Sequence, residues 1–114
     1  MSILEDLNRA LSTLGIPFET AAWSDHAPDK YIVITPLGDT LAMHGDNSPS
    51  GIVEEARISL FSKTNYSADK YRLIDLMLSH DFTVTYISYI GFETDTKYHH
   101  LGIEVEKYYE REAS

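Results

Sequence analysis

The sequence predicts an α+β fold: a mostly antiparallel sheet of four to five strands with two helices packed on one face, in the order α-β-β-β-α-β-β. Three observations carry this expectation. Apolar residues recur at helical spacing near the N-terminus, a second helical stretch lies near residues 67–80, and the intervening and following segments are β-branched or aromatic runs that alternate with polar residues. The 114 residues favour a single domain, 1–114. A chain of this size buries roughly 65% of its unfolded surface, enough for one modest core without a large internal cavity.

The first helix is expected from Ser2 to Leu14. Ser2 and Glu5 have capping-box spacing, and Ile3, Leu4, Leu7, Ala10, Leu11 and Leu14 form one apolar stripe. Gly15 stops it and Pro17 prevents its return. Residues 18–30 read as irregular chain or a short edge strand, with Trp23 plugging one end of the core. Lys30–Thr35 is a strong β run, and Pro36 and Gly38 are expected to break it before a short strand over Thr40–Met43 folds back on it as a hairpin. His44–Gly51 carries the composition of an exposed loop.

Ile52–Ser62 reads as the next strand, and Ser67 as the cap of a helix that runs to His80 and buries Tyr71, Ile74, Met77 and Leu78. Strict alternation over Phe82–Ile90 sets Phe82, Val84, Tyr86, Ser88 and Ile90 on one face and Thr83, Thr85, Ile87 and Tyr89 on the other. Both sets are bulky, so both faces call for cover, one of them by a neighbouring subunit. Gly91–Asp95 turns the chain into a last strand, Tyr98–Tyr108, with Leu101, Ile103 and Val105 inward and a charged tail from Tyr109.

The net charge of −9 argues against a sequence-specific nucleic-acid reader, whose affinity depends on Lys and Arg against phosphates. It also means that any oligomer has to overcome repulsion through apolar contact, strand pairing or specific ion pairs. There is no cysteine, which removes disulfide and thiolate chemistry and fits a reducing compartment. The N-terminus does not read as a signal peptide, and no window is apolar enough to span a membrane.

The chemistry-bearing residues do not assemble into a motif. His99 and His100 are adjacent on a strand and face opposite ways, and His26, His44 and His80 lie in or beside turns, so surface or cap roles are expected and not metal ligation. Asp46, Glu54, Glu55, Glu104 and Glu106 are the available carboxylates. Glu104 and Glu106 share the strand face opposite the apolar residues, where solvation, not acid–base work, is expected. Neither a nucleophile elbow nor a phosphate loop is present. No catalytic, metal or cofactor-binding residue is assigned. The tyrosines are more informative: Tyr86, Tyr89, Tyr98, Tyr108 and Tyr109 concentrate in the last two strands, and tyrosine is enriched at protein interfaces.

The order of segments resembles the small tail-terminator, or tail-completion, proteins of long-tailed phages and prophages. The resemblance runs through Leu14-Gly15-Ile16-Pro17 at the end of the first helix and the strand Tyr31-Ile32-Val33-Ile34. It continues through the Asp46-Asn47 loop, the strand Arg57-Ile58-Ser59-Leu60-Phe61-Ser62-Lys63, the helix Lys70–Leu78 and Tyr98-His99-His100 opening the last strand. It implies a structural virion protein that caps the tail tube as a ring, commonly hexameric, and joins it to the head, without cofactor or catalysis. The implied partners are further copies of the chain, the tail tube protein and a head connector protein. The implied location is the tail or neck of the virion, reached from the host cytoplasm during assembly. Asp46, Asn47, Arg57 and Lys63 then count as structural or interfacial, beside Tyr86, Tyr89 and Tyr98. An acidic ring would let DNA slide, and the 44–51 loop would order on docking. The alternatives are a head-proximal neck protein and, less in keeping with the tyrosine-rich strands, a small acidic inhibitor that mimics nucleic acid.

Overall fold

The computed structural model describes residues 2–23, 26–43 and 49–110. The elements follow as α1 (Ile3–Leu11), β1 (Phe18–Thr20), β2 (Lys30–Met43), β3 (Pro49–Ser62), α2 (Ser67–Ser79), β4 (Thr83–Phe92) and β5 (His99–Glu110). The five strands form one sheet in the order β1-β2-β3-β5-β4, antiparallel except where β1 runs parallel to β2. The α+β expectation and its element order hold. The molecule is long, 53 × 24 × 24 Å, because three of its strands outrun the helices.

α1 starts where Ser2 Oγ accepts the Glu5 N–H at 3.3 Å. Across the domain, Glu54 Oε1 on β3 accepts the Ile3 N–H at 2.8 Å, which places a carboxylate on the positive end of the helix. Beyond Leu11 the chain continues to Leu14 in tighter turns, with the Thr13 and Leu14 amides reaching back three residues, and Gly15 at φ +86 ends it.

Pro36 and Gly38 do not break the following strand: β2 is continuous over 14 residues and pairs with β3 from Lys30↔Ser62 to Met43↔Pro49. The backbone accounts for this. Ile32 N–H donates to Pro17 and Ile34 C=O accepts from Ala21, so these even-numbered residues turn their polar groups away from β3. Pro36 shares that parity, and its missing N–H falls on the outer edge, where no ladder bond is lost. Leu37 is absorbed as a bulge, since Pro36 and Gly38 oppose consecutive residues of β3. The expected fold-back hairpin over Thr40–Met43 is instead the far half of one long strand. Pro49–Gly51 belong to β3 and not to a loop, and residues 44–48 of that expected loop lie outside the described residues.

α2 is capped by Asn65, whose Oδ1 accepts the Ser67 N–H at 2.9 Å, and not by Ser67. Its buried line is Asp69, Leu73 and Met77, while Tyr71 and Leu78 are 61% and 55% exposed. The helix carries two apolar stripes, and docking selects the one whose Asp69 meets Lys30. Trp23 also lies elsewhere than expected. Its ring packs against Tyr31 at 5.0 Å, on the sheet face away from the helices.

The core fills the helix-bearing face with rows of side chains running across the strands: Ile32, Leu60 and Leu101, then Ile34, Ile58 and Ile103, then Ala56 and Val105. Leu7, Ala10 and Leu11 from α1, Leu73 and Met77 from α2, and Phe82 close over them. Two buried carboxylates sit at the rim in matching arrangements. Asp6 of α1 accepts from Tyr109 Oη at 2.5 Å and pairs with Lys107 and with Arg9 one turn on, both at 3.5 Å. Asp69 of α2 pairs with Lys30 at 2.6 Å and with Arg72 one turn on at 3.2 Å. Each helix is thus held to the sheet by one aspartate and one strand lysine. Lys107 Nζ also donates to the His80 carbonyl at the end of α2, at 3.0 Å, and so bridges both helices.

Removing the lysine from such a pair leaves a buried charge, whereas removing both charges does not. Lys30→Met is therefore expected to cost about 3 kcal/mol of stability, the low end of the ~3–5 kcal/mol for a broken buried pair, because Arg72 remains. The double variant Lys30→Met/Asp69→Leu is expected to recover most of that loss. Urea unfolding of the two variants checks this, and additive losses would show that the pair is not coupled.

Candidate interaction surface

The helices cover one face of the sheet, and the described residues cover the other only at one end. There, Tyr31 stacks on Phe61 at 4.8 Å and Phe61 on His100 at 4.2 Å, three neighbours in one cross-strand row. Tyr98 meets Tyr31 edge-on at 5.3 Å, and its hydroxyl donates to the Pro28 carbonyl at 2.6 Å. Lys63 Nζ lies 5.0 Å over the Tyr98 ring and 3.6 Å from Asp29. Tyr98 is 6% exposed, so its ring and hydroxyl serve the chain's own packing.

Further along this face the rows become polar and narrow. Ser59 and Gly102 form a low saddle covered by neighbouring side chains, with Ile90 Cδ1 3.1 Å and Arg57 Cδ 3.7 Å from where a Gly102 Cβ would sit. The next row sets Thr35, Arg57, Glu104 and Tyr86 side by side. Arg57 Nε and Nη2 both donate to Glu104 Oε2, at 3.3 and 2.9 Å. Glu55 and Glu106 face each other directly in the row after that, a like-charge pair that leaves this part of the surface acidic.

β4 forms one margin of the sheet and has no strand partner on its outer side among the described residues. Its ten residues, Thr-Val-Thr-Tyr-Ile-Ser-Tyr-Ile-Gly-Phe, include neither a charge nor a proline. Register shifts at Thr85 and Ile90 reorder its faces. Val84, Ile87 and Tyr89 pair with Val105, Ile103 and Leu101 on the helix face, while Tyr86 and Ser88 pair with Glu104 and Gly102 on the other. Strict alternation had placed Val84 with Tyr86 and Ser88; the bulge at Thr85 flips one side of that set. Tyr86, Ile87, Tyr89, Ile90 and Phe92 are between 41% and 58% exposed. Tyr89 is partly supported, stacking on Tyr66 at 5.4 Å with its hydroxyl 3.0 Å from His99 Nδ1.

Of the residues singled out from the sequence, the structure brings Tyr86 and Arg57 into one row and sets Tyr89 on the opposite face of the same strand. Tyr98 and Lys63 lie together at the far end, and Asp46 and Asn47 lie outside the described residues. Tyr109 is not part of a tail: it belongs to β5, packs against the core and bonds to Asp6. Tyr108 lies across Gly51, whose added Cβ would come within 2.7 Å of the ring. Ile90 and Phe92 are exposed beside the tyrosines, and neither belongs to the interface residues expected from the sequence. The signal that marks them is the absence of charge over ten consecutive residues of a chain that is 24% charged.

His99 and His100 face opposite ways, as expected, and each enters a different aromatic cluster. Among the described residues no group of three or more His, Cys, Asp or Glu converges as a metal site. A depression of about 360 Å³ in the β4–β5 turn is lined by Phe92, Glu93, Thr94, Asp95 and Thr96, all from one segment, so no second element brings groups to bear on it. No helix among the described residues is long and apolar enough to cross a membrane. No family model and no curated protein matches the chain.

His100 Nε2 is buried without a hydrogen-bond partner, and burial pushes the imidazole below its ordinary 6.5, with Glu93 opposing and Arg57 reinforcing the shift. The unfolded chain therefore binds this proton at higher pH than the folded one. The stability gained from the neutral ring is complete above about pH 6.5 and declines as pH falls from there through the folded value. His100→Phe is expected to keep the stack and flatten that decline. Urea midpoints for both proteins between about pH 7.5 and 5 measure it, and parallel curves would count against the assignment.

Proposed function

We propose that this chain is a structural, non-catalytic component of a long-tailed phage or prophage virion, which caps the tail tube as a ring and joins it to the head. Its partners in this reading are further copies of itself, the tail tube protein and a head connector protein. It enters the tail or neck of the particle from the host cytoplasm during assembly. The observation that carries the reading is β4: a sheet edge without charge or proline, flanked on both faces by exposed Tyr86, Ile87, Tyr89, Ile90 and Phe92. Native proteins usually blunt such an edge with charge, proline or a covering segment, because it pairs readily with another chain. An edge left apolar on a chain of net charge −9 fits a protein that works in an assembly. The segment order that resembles tail-terminator proteins supplies the identity of that assembly.

The surface chemistry is in keeping with a channel for DNA. Glu55, Glu104 and Glu106 outnumber Arg57 on the face away from the helices, and turned toward a bore they would repel phosphates and let a duplex slide.

Electron microscopy of particles made without this protein tests the reading. Overlong or headless tails are expected. Tails of normal length on filled heads would overturn it, and leaking heads with normal tails would move the chain to the head-proximal neck.

A further inference from the structure

We infer that the ring is held by strand pairing between unlike edges, β4 of one copy lying antiparallel against the far half of β2 in the next. This rests on the ring reading and specifies its interface.

The sheet has two margins. One is β4. The other is the outer side of β2, which β1 covers only at Ile32–Ile34. Pro36 offers no N–H to that margin and Leu37 is bulged, so the stretch free to pair begins at Gly38 and runs to Ala42. It carries one charge, Asp39, and its Leu41 is 60% exposed. Two margins low in charge on an acidic chain are matched to each other and poorly matched to a charged partner. Direction agrees as well. β4 is antiparallel to β5, β5 to β3 and β3 to β2, so a neighbour placed in the same orientation presents β2 antiparallel to β4.

The register follows from the obstacles. Side-by-side pairing without stagger would drive β4 into β1. The helices of both copies stay on one side only if the shift is an even number of rows. The smallest even shift that sets Thr83–Ser88 beyond Pro36 and the bulge is four rows, which leaves Tyr89 opposite Pro36. It sets Tyr86 opposite Thr40, and Val84 opposite Leu41. The bulge at Ile90 bends the end of β4 before it reaches the neighbour's β1. Four rows amount to about 13 Å along the strands, and the four strands of each repeat to about 19 Å across them. That stagger tilts the strands by about 35°, within the ~35–45° of closed sheets. Unlike edges that repeat with constant rotation make rings where that rotation closes and open filaments where it does not, whereas a like-edge pairing stops at two copies.

Cross-linking tests this directly, because the native chain has no cysteine. Tyr86→Cys and Thr40→Cys alter exposed positions on the same sheet face, and Asp75→Cys on α2 serves as a background control. Each protein is checked for native circular dichroism, concentrated in salt that screens its charge, and treated with a short bismaleimide. The expected result is a covalent dimer in the equimolar mixture of Tyr86→Cys and Thr40→Cys at least tenfold above either alone. The double variant should give a ladder that ends in a closed ring. Dimers from Tyr86→Cys alone would establish like-edge pairing and overturn the inference. Cross-linking no better than Asp75→Cys, with the wild-type chain still sedimenting as a ring, would overturn the interface and leave the ring. A wild-type chain that stays monomeric even with tail tube protein would overturn both.

Discussion

A helix of 9 residues is about 14 Å long and one of 13 about 20 Å, while a strand of 14 residues reaches about 46 Å. Two such helices cannot cover a sheet built on such strands, and most of the surface character of this protein follows from that mismatch. One face is closed over its middle rows. The other is closed at one end by aromatic stacking and by Trp23, Ala27 and Pro28, and nothing among the described residues closes the margin at β4. A domain of this size gains little from making its helices longer unless it also gains core to bury beneath them. Half of the large apolar side chains that remain exposed among the described residues lie in one strand, β4.

The helices are seated by charge as much as by apolar contact. Asp6 and Asp69 occupy equivalent places, each buried, each taking a lysine from a strand and an arginine from its own next turn. Buried ion pairs of this kind contribute little net stability compared with apolar replacements, but they penalise any docking that leaves the carboxylate alone. For α2 this decides between two apolar stripes of similar strength. Leu73 and Met77 go inward because Asp69 shares their line and meets Lys30, and Tyr71 and Leu78 go outward as a consequence. Lys107 does the same service at the other end of the core, where it reaches Asp6, the His80 carbonyl that follows α2 and the ring of Phe82.

Bulges then set what the open strand displays. Without the shift at Thr85, Tyr86 and Ser88 would lie with Val84 under the helices. With it, Tyr86 stands beside Glu104 and Arg57, and Ile87 and Tyr89 turn to the helix side. The register shift near Leu37 has a comparable effect on β2, because it lets one strand run past a proline and carry a second edge, unpaired among the described residues, beyond the body of the domain.

Element types, their order and the core rows of the central strands were legible in the sequence, since β-branched alternation at Ile58, Leu60, Ile103 and Val105 and the stripe of α1 are local patterns. So was the opposition of His99 and His100, which follows from the pleat alone. The continuity of β2 through Pro36, the capping of α2 by Asn65, the outward turn of Tyr71 and Leu78, the inward place of Tyr98 and the faces of β4 were not. Each depends on what a distant segment offers: an edge with no ladder to break, a lysine across the sheet, a carbonyl near Pro28, an extra residue in one strand of a pair. Local periodicity determined which residues could share a face. Only the tertiary structure decided which face met the core, because that choice is made by partners far away in the chain.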